Sequence, residues 1–272
     1  MQNLRTDLRV AVVGLGAIGT RVVEALDRGI DGMVLAAVSA QHPDKHKIRL
    51  CKLRRPPVFL PIEALAEVAD IVVECAPSKL VRSIVEPFAA SGKIAVVLSA
   101  GALLENEDLI ETAKQRGGQI VVPTGALIGL DAVTAAAVGK IHSVRMLTRK
   151  PIRGLAGAPY VVENKIGIEG ITEAQKIFDG TAREAAKGFP ANVNVAVALS
   201  LAGIGPDLTR IEIWADPALT RNTHRIEVES DSASFSMAIE NIPSENPKTG
   251  VITALSVIAY LRKLRAPLRV GT

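Results

Sequence analysis

The residues Gly14-Leu15-Gly16-Ala17-Ile18-Gly19 follow the apolar run Val10–Val13 directly and lead into a helically spaced stretch. A Gly-x-Gly-x-x-Gly pattern is weak alone and informative between a strand and a helix. There the first glycine permits the tight turn and the second lets backbone approach a pyrophosphate. The third lets helix and strand pack closely. Ala17 and Ile18 open the helix, whose free N–H groups and partial positive charge suit phosphate. The chemistry implied is the binding of a nicotinamide dinucleotide for hydride transfer. A strand that prefers NAD usually ends in an acid that holds the ribose 2′-hydroxyl. Here the second strand ends Val38-Ser39-Ala40-Gln41, and beyond it lie His42, Lys45, His46, Lys47, Arg49, Lys52, Arg54 and Arg55. Ser39 beside these cations is expected to accept a 2′-phosphate, so NADP should bind at least as well as NAD. A solvated basic face is the competing reading.

These groups need a scaffold. Arg9–Val13, Val34–Val38, Ile71–Cys75, Ile94–Leu98 and Ile120–Val122 read as buried strands. Between them Thr20–Arg28, Ile62–Ala69, Leu80–Ser91 and Asn106–Arg116 have helical spacing. Continuous Val/Ile/Ala strands separated by amphipathic helices indicate a parallel sheet covered on both faces. The expected class is α/β, a Rossmann-type doubly wound sheet. Cys75-Ala76-Pro77 and Ser99-Ala100-Gly101-Ala102 then end strands on the ligand-binding carboxyl edge, where Ala76 and Pro77 would lie against the cofactor. Cys75 itself reads better as a small buried hydrophobe.

After Gly125 the pattern changes. Ser143–Lys150, Arg210–Ala215, Arg225–Ser230 and Ser234–Glu240 alternate like strands with one exposed face. Helices are expected at Thr181–Gly188 and Val193–Ile204, giving a second α+β domain with a mixed or antiparallel sheet. Gly250–Lys263 returns to helical periodicity and should pack on the first domain. The division expected is 1–125 plus 250–272 for dinucleotide binding, and 126–249 for substrate.

The 272 residues are 48% hydrophobic and 22% charged, ordinary globular values that exclude a disordered chain. A net charge of +4 and a pI near 9.1 hint at nucleic acid, but one Trp, two Tyr and five Phe offer little for stacking. Arg5 and Arg9 before Val10–Val13 superficially resemble a leader; Asp7 and the glycines fit a strand and turn better. No apolar run reaches the roughly 18 residues of a membrane span. Two cysteines give no disulfide framework and no zinc spacing, so no metal is expected and a reducing, cytoplasmic setting is the default.

Several segments together resemble the L-aspartate dehydrogenase family. They are Val10–Gly19, Thr124-Gly125-Ala126-Leu127-Ile128-Gly129-Leu130-Asp131-Ala132, and Thr148-Arg149-Lys150-Pro151. Further on come Gly180–Ala186, Phe189-Pro190-Ala191-Asn192-Val193-Asn194-Val195-Ala196, Ala215-Asp216-Pro217, Asn222-Thr223-His224 and Glu245-Asn246-Pro247-Lys248-Thr249. They recur in order over nearly the whole chain. The resemblance implies NAD- or NADP-dependent oxidation of L-aspartate to iminoaspartate. The imine hydrolyses to oxaloacetate and ammonia or feeds quinolinate and NAD synthesis. It also implies that Ala126 and one of Asn192 and Asn194 touch the cofactor, and that His224 is catalytic. Ser39 stands where some relatives have Asp, which removes the basis for strict NAD preference.

The residues can be weighed beside the resemblance. Loss of an amine proton and addition of water suit a group titrating near neutrality, and an unperturbed histidine does so near 6.5. His42 and His46 fall in the basic loop and His142 precedes an edge-like strand. His224 alone lies among polar residues of the second domain. Two substrate carboxylates call for cations: Lys150 first, then Arg149, Arg153 and Lys248. The Asn192/Asn194 pair could equally cap a helix. A reductase of the dihydrodipicolinate or homoserine type, or a non-catalytic redox sensor, remains the alternative. The partner expected is a small molecule, with no nucleic acid and no membrane, in a two-fold homodimer.

Overall fold

The computed structural model describes residues 6–190, 193–244 and 250–271. The chain divides into two compact units, Met1–Pro123 with Ala254–Arg269 and Thr124–Thr253 with Val270–Thr272.

In the first unit the strands are β1 (Leu8–Val13), β2 (Met33–Ser39), β3 (Val58–Phe59), β4 (Ile71–Glu74), β5 (Ile94–Val97) and β6 (Gln119–Val121). Helices α1 (Ala17–Arg28), α2 (Asp44–Leu50), α3 (Leu65–Val68), α4 (Val81–Ala90) and α5 (Asp108–Arg116) connect them. The sheet runs β3-β2-β1-β4-β5-β6 with every pair parallel. That order is the doubly wound dinucleotide-binding arrangement. The sequence of β1 shows why both faces must be covered: Val10 and Val12 enter one core with Val22 and Leu26 of α1. Ala11 and Val13 enter the other with Val85 and Phe88 of α4. A strand apolar at four successive positions has no face to give to water.

In this unit the short β3 was not expected from the sequence, and two expected segments differ. Ile62–Ala69 is a 3₁₀ turn at Ile62–Ala64 followed by the short α3. The basic stretch is not a loop: Asp44–Leu50 is helical, with Leu50 its single buried residue.

The second unit contains β7 (Ile141–Lys150), β8 (Gln175–Thr181), β9 (Arg210–Ala215), β10 (Thr223–Ser230) and β11 (Ser234–Glu240). With them come α6 (Leu130–Ala136), α7 (Ile152–Leu155), α8 (Pro159–Glu163), α9 (Ala182–Gly188) and α10 (Asn194–Ala202). The sheet order is β11-β10-β7-β9-β8, with β7 and β9 parallel and the other pairs antiparallel. It is a mixed sheet. Along β7 the residues Val144, Met146, Thr148 and Lys150 are buried, and along β10 so are His224, Ile226 and Val228. Period-2 burial therefore carries two strands' worth of aliphatic core toward one polar end. The capping box at Thr181 and Glu184 starts α9.

The final helix, α11 (Val251–Arg265), sends Val257, Ile258 and Leu261 into the core beside β1 and α1. Among the described residues no helix is long and apolar enough to cross a membrane. Nor does any group of three or more His, Cys, Asp or Glu there offer to hold a metal ion.

Candidate active site

The first unit gathers the glycine turn, Ser39, Ala76 and Pro77 at the carboxyl edge of its sheet. Gly14 has φ +89°, a conformation L side chains rarely adopt, and its N–H donates to Ser39 O at 2.8 Å. A Cβ at Gly14 would collide with the Cys75 carbonyl, and one at Gly19 with the Gly14 carbonyl. At Gly16 a Cβ would meet nothing within 4 Å. Two glycines are therefore required by the fold, whereas the middle one faces open space, as a turn shaped around an external pyrophosphate demands. Gly16 is also the N-cap of α1 and offers no side-chain cap to the first-turn amides. Ala17 and Ile18 supply that first turn, so the residues present fit a bound dinucleotide phosphate.

Ser39 ends β2 and is buried. Part of the neighbouring positive charge is engaged: Lys47 pairs with Asp44 at 2.7 Å, and Arg49 approaches Glu24 at 3.8 Å.

Glu74 escaped the sequence reading. It is fully buried at the end of β4 and accepts from Ala76 N (2.9 Å), Leu98 N (3.0 Å), Ser99 N (2.9 Å) and Ser99 Oγ (3.1 Å). Burial raises its pKa and these donors work against that rise. The carboxylate thereby ties the turn after β4, with Ala76 and Pro77, to the turn after β5. An acid closing the apolar run Ile71-Val72-Val73 was the available signal.

The second unit gathers a different set at the end of β7 and β10. Thr148 and His224 are register partners on adjacent strands, with Thr148 Oγ1 2.7 Å from His224 Nδ1. Lys150 lies two residues beyond Thr148 on the same buried face. Both His224 and Lys150 are 3% exposed. Among the described residues His224 Nε2 and Lys150 Nζ make no hydrogen bond, and neither is among the fully buried polar atoms left without a partner.

The electrostatics follow from this burial. Desolvation, with the Lys150 charge second, lowers the His224 pKa to about 3. Desolvation lowers Lys150 to about 8. The group titrating closest to neutrality is thus the lysine, and the histidine is neutral throughout the physiological range. The expectation of an ordinary histidine near 6.5 is corrected here, because an imidazolium on this face would lose its hydration and sit beside an ammonium.

Asn241, also 3% exposed, is a second residue the sequence did not reveal. Its Nδ2 donates to Ala126 O at 2.9 Å and its backbone N–H to Asn222 O at 2.9 Å. One residue, through its side chain and its backbone N–H, so links Ala126 to the segment entering His224.

Other cations are placed elsewhere. Arg149 lies on the opposite, exposed face of β7, 3.6 Å from Asp216 and over the Trp214 ring at 5.5 Å. Arg153 donates to Thr220 O at 3.3 Å and lines a shallow hollow with Arg221, Asn222 and Asn241. Asn194 is the half-buried first residue of α10. Asn192 and Lys248 lie outside the described residues.

Known proteins match this chain over its whole length. Residues 131–264 match the family described as aspartate dehydrogenase, C-terminal. Residues 14–123 match that described as homoserine dehydrogenase, NAD binding domain. An L-aspartate dehydrogenase of Bradyrhizobium diazoefficiens is 65% identical over 271 residues, covering 100% of this chain and 96% of that one. L-aspartate dehydrogenase 3 of Bordetella bronchiseptica is 56% identical over 98% of this chain and 99% of its own. Among solved structures, aspartate dehydrogenase from Thermotoga maritima aligns with a TM-score of 0.75 at 25% identity, over 97% of this chain and 99% of that one.

Proposed function

The chain belongs to the L-aspartate dehydrogenase family, and from that premise we propose that it oxidises L-aspartate to iminoaspartate with NAD or NADP. The imine then takes up water to give oxaloacetate and ammonia, and the same site runs the reverse amination. Release of iminoaspartate into NAD biosynthesis is part of the same reading.

The observation that carries it is the pairing of a neutral histidine with a desolvated lysine on one buried sheet face. Lys150 supplies a cation for a substrate carboxylate, where low local dielectric strengthens the attraction. A carboxylate bound there cancels the second cause of the low His224 pKa, so the ring's proton affinity rises when substrate arrives. His224 then accepts the amine proton, releases it to solvent after hydride has left, and, neutral again, takes a proton from the water that adds to the imine. A bound nicotinamide would supply the acceptor for the hydride leaving the substrate Cα. The glycine turn with Ala17 and Ile18, Ser39, Ala76 and Pro77 would hold the dinucleotide. Ala126 and the Asn192/Asn194 pair would add contacts to it. The absence of an acid at the end of β2 supports NADP as well as NAD.

Initial rates of NADH and NADPH formation with L-aspartate, D-aspartate, L-glutamate and L-homoserine test this proposal. The expected outcome is a rate confined to L-aspartate with either cofactor, and a shift of preference toward NAD in Ser39→Asp. No rate with any substrate while the dinucleotide binds would return the reductase or sensor reading. Equal Michaelis constants for the two cofactors in Ser39→Asp would remove Ser39 from cofactor choice.

Cytoplasmic placement goes with two free cysteines, Cys51 and Cys75. A homodimer is proposed through the outward face of the second sheet. There Leu147 and Trp214 lie among ion pairs such as Arg145–Glu212 (2.8 Å) and Arg225–Glu227 (3.0 Å), a self-complementary mixture suited to two-fold pairing. Sedimentation at the mass of two chains is the expected result, and a single-chain mass at assay concentration would overturn it.

A further inference from the structure

Among the described residues Thr148 makes the one side-chain hydrogen bond to the proposed catalytic ring. Its Oγ1 lies 2.7 Å from His224 Nδ1 and 3.4 Å from the carbonyl oxygen of Thr223. A hydroxyl has one proton to donate and two lone pairs to accept with. Two arrangements are therefore open. Either the hydroxyl donates to Nδ1 and the ring carries its proton on Nε2, or Nδ1–H donates to Oγ1 and the hydroxyl proton turns to Thr223 O.

The two differ in bonds made. The first makes one bond and leaves an Nε2–H group that meets no acceptor among the described residues. The second makes two, the one to Thr223 O being long and weak, and strands no donor. Nε2 is not among the buried side-chain atoms left without a partner, so water can meet it in either tautomer, and the difference lies in the bonds made at the Thr148 end. Chemistry separates them further. With Nδ1–H fixed on Oγ1, Nε2 accepts a proton and the imidazolium keeps the same bond to the same oxygen. With the proton on Nε2, the ring has nothing to accept with there, and protonation at Nδ1 would require the threonine hydroxyl to reverse.

We propose that Thr148 is a positioning residue that holds His224 as the Nδ1–H tautomer, presenting the Nε2 lone pair as the proton acceptor of the reaction. Thr148 is suited to this because β7 and β10 bring it into register with His224 on the buried face. A β-branched side chain there has few rotamers to lose. The inference rests on the reading of His224 as the catalytic base. The two fail separately, since the tautomer is read from the spectrum of the resting protein without turnover.

The experiment is ¹⁵N-imidazole NMR of the full-length protein, with kinetics of Thr148→Val and Thr148→Ser. In the wild type the His224 proton is expected on Nδ1. Thr148→Val removes the acceptor while keeping the branched shape, so the signal should move toward Nε2–H. Turnover should fall by roughly 10- to 100-fold, below the loss known for a fully mis-set tautomer. The KM for L-aspartate and dinucleotide affinity should stay within about 3-fold, as for a group acting only through proton transfer. Thr148→Ser restores both the tautomer and the turnover. A wild-type proton on Nε2 overturns the proposal whatever the variants do. So does Thr148→Val turning over like wild type, or Thr148→Ser failing as badly as Val. If the valine variant does not fold, the wild-type spectrum and the serine variant still decide.

Discussion

His224→Ala is expected to lower turnover by roughly 10²-fold or more while leaving dinucleotide affinity within about 3-fold, the usual scale for loss of an acid–base group. The two effects separate because the dinucleotide edge and the histidine belong to different units of the chain. The glycine turn is built on the sheet of the first unit, whereas His224 stands on β10 of the second. His224→Asn is the companion variant, since its side chain still offers Thr148 a partner and leaves a smaller gap. Stopped-flow turnover and fluorescence titration with NADH read the two quantities. Unchanged turnover in either variant would take the histidine out of the mechanism.

A pH series tests the burial of the histidine directly. With its pKa depressed to about 3, the free enzyme's ring is neutral from pH 8 down to 5. The wild-type kcat/KM should thus show no step at an ordinary histidine's pKa near 6.5. A fall in kcat/KM centred there would mean that the ring is solvated and charges normally.

How much of this was legible beforehand depends on what kind of signal each residue leaves. β9 and β11 lie where alternation put them, Arg210–Ala215 and Ser234–Glu240, because one exposed face writes period 2 into the sequence. The glycine turn was legible because steric demand leaves only glycine at Gly14 and Gly19. β8 was missed for a physical reason. Its register shifts between Lys176 and Phe178, so Ile177 and Phe178 are both buried and the alternation breaks. α2 was missed because a helix that buries only Leu50 carries no apolar period.

The site divided along the same line. Ser39 and Lys150 could be singled out from strand ends and charge. Glu74 left only the sign of an acid closing an apolar run, and Thr148 and Asn241 left none, because their meaning lies in partners 76 and 115 residues away. Nor could the reversal of titration between His224 and Lys150 be read, since burial and not residue type sets it.

That reversal leads to a result in which function and stability move in opposite directions. Lys150→Met is expected to raise the KM for L-aspartate by about 10- to 100-fold, the loss of one charge-assisted bond to a carboxylate. The same change should make the protein more stable at pH 7. Lys150 is buried with no ion-pair partner among the described residues, and its pKa is about 8 against 10.5 when unperturbed. Below pH 8 the folded chain holds a charged, desolvated ammonium. The unfolded chain holds the same charge in water, so the penalty falls on the fold. Between about pH 8 and 10.5 the unfolded state binds more protons than the folded one, and stability contributed by this group rises with pH. The penalty is therefore fully present at pH 7 and relieved by pH 10.5. Its upper size is roughly 3 kcal/mol from the pKa difference. Methionine has a similar length and no charge to desolvate, so the variant should exceed wild type by roughly 1–3 kcal/mol at pH 7 and match it near pH 10.5. Urea midpoints for both proteins at the two pH values, beside their Michaelis constants at pH 7, decide the matter. A variant less stable than wild type at pH 7 would show that Lys150 is paired in the fold. An unchanged KM would show that the substrate carboxylates are held by other cations. If both predictions hold, a residue that costs the fold stability is kept at this position for the charge it presents to substrate.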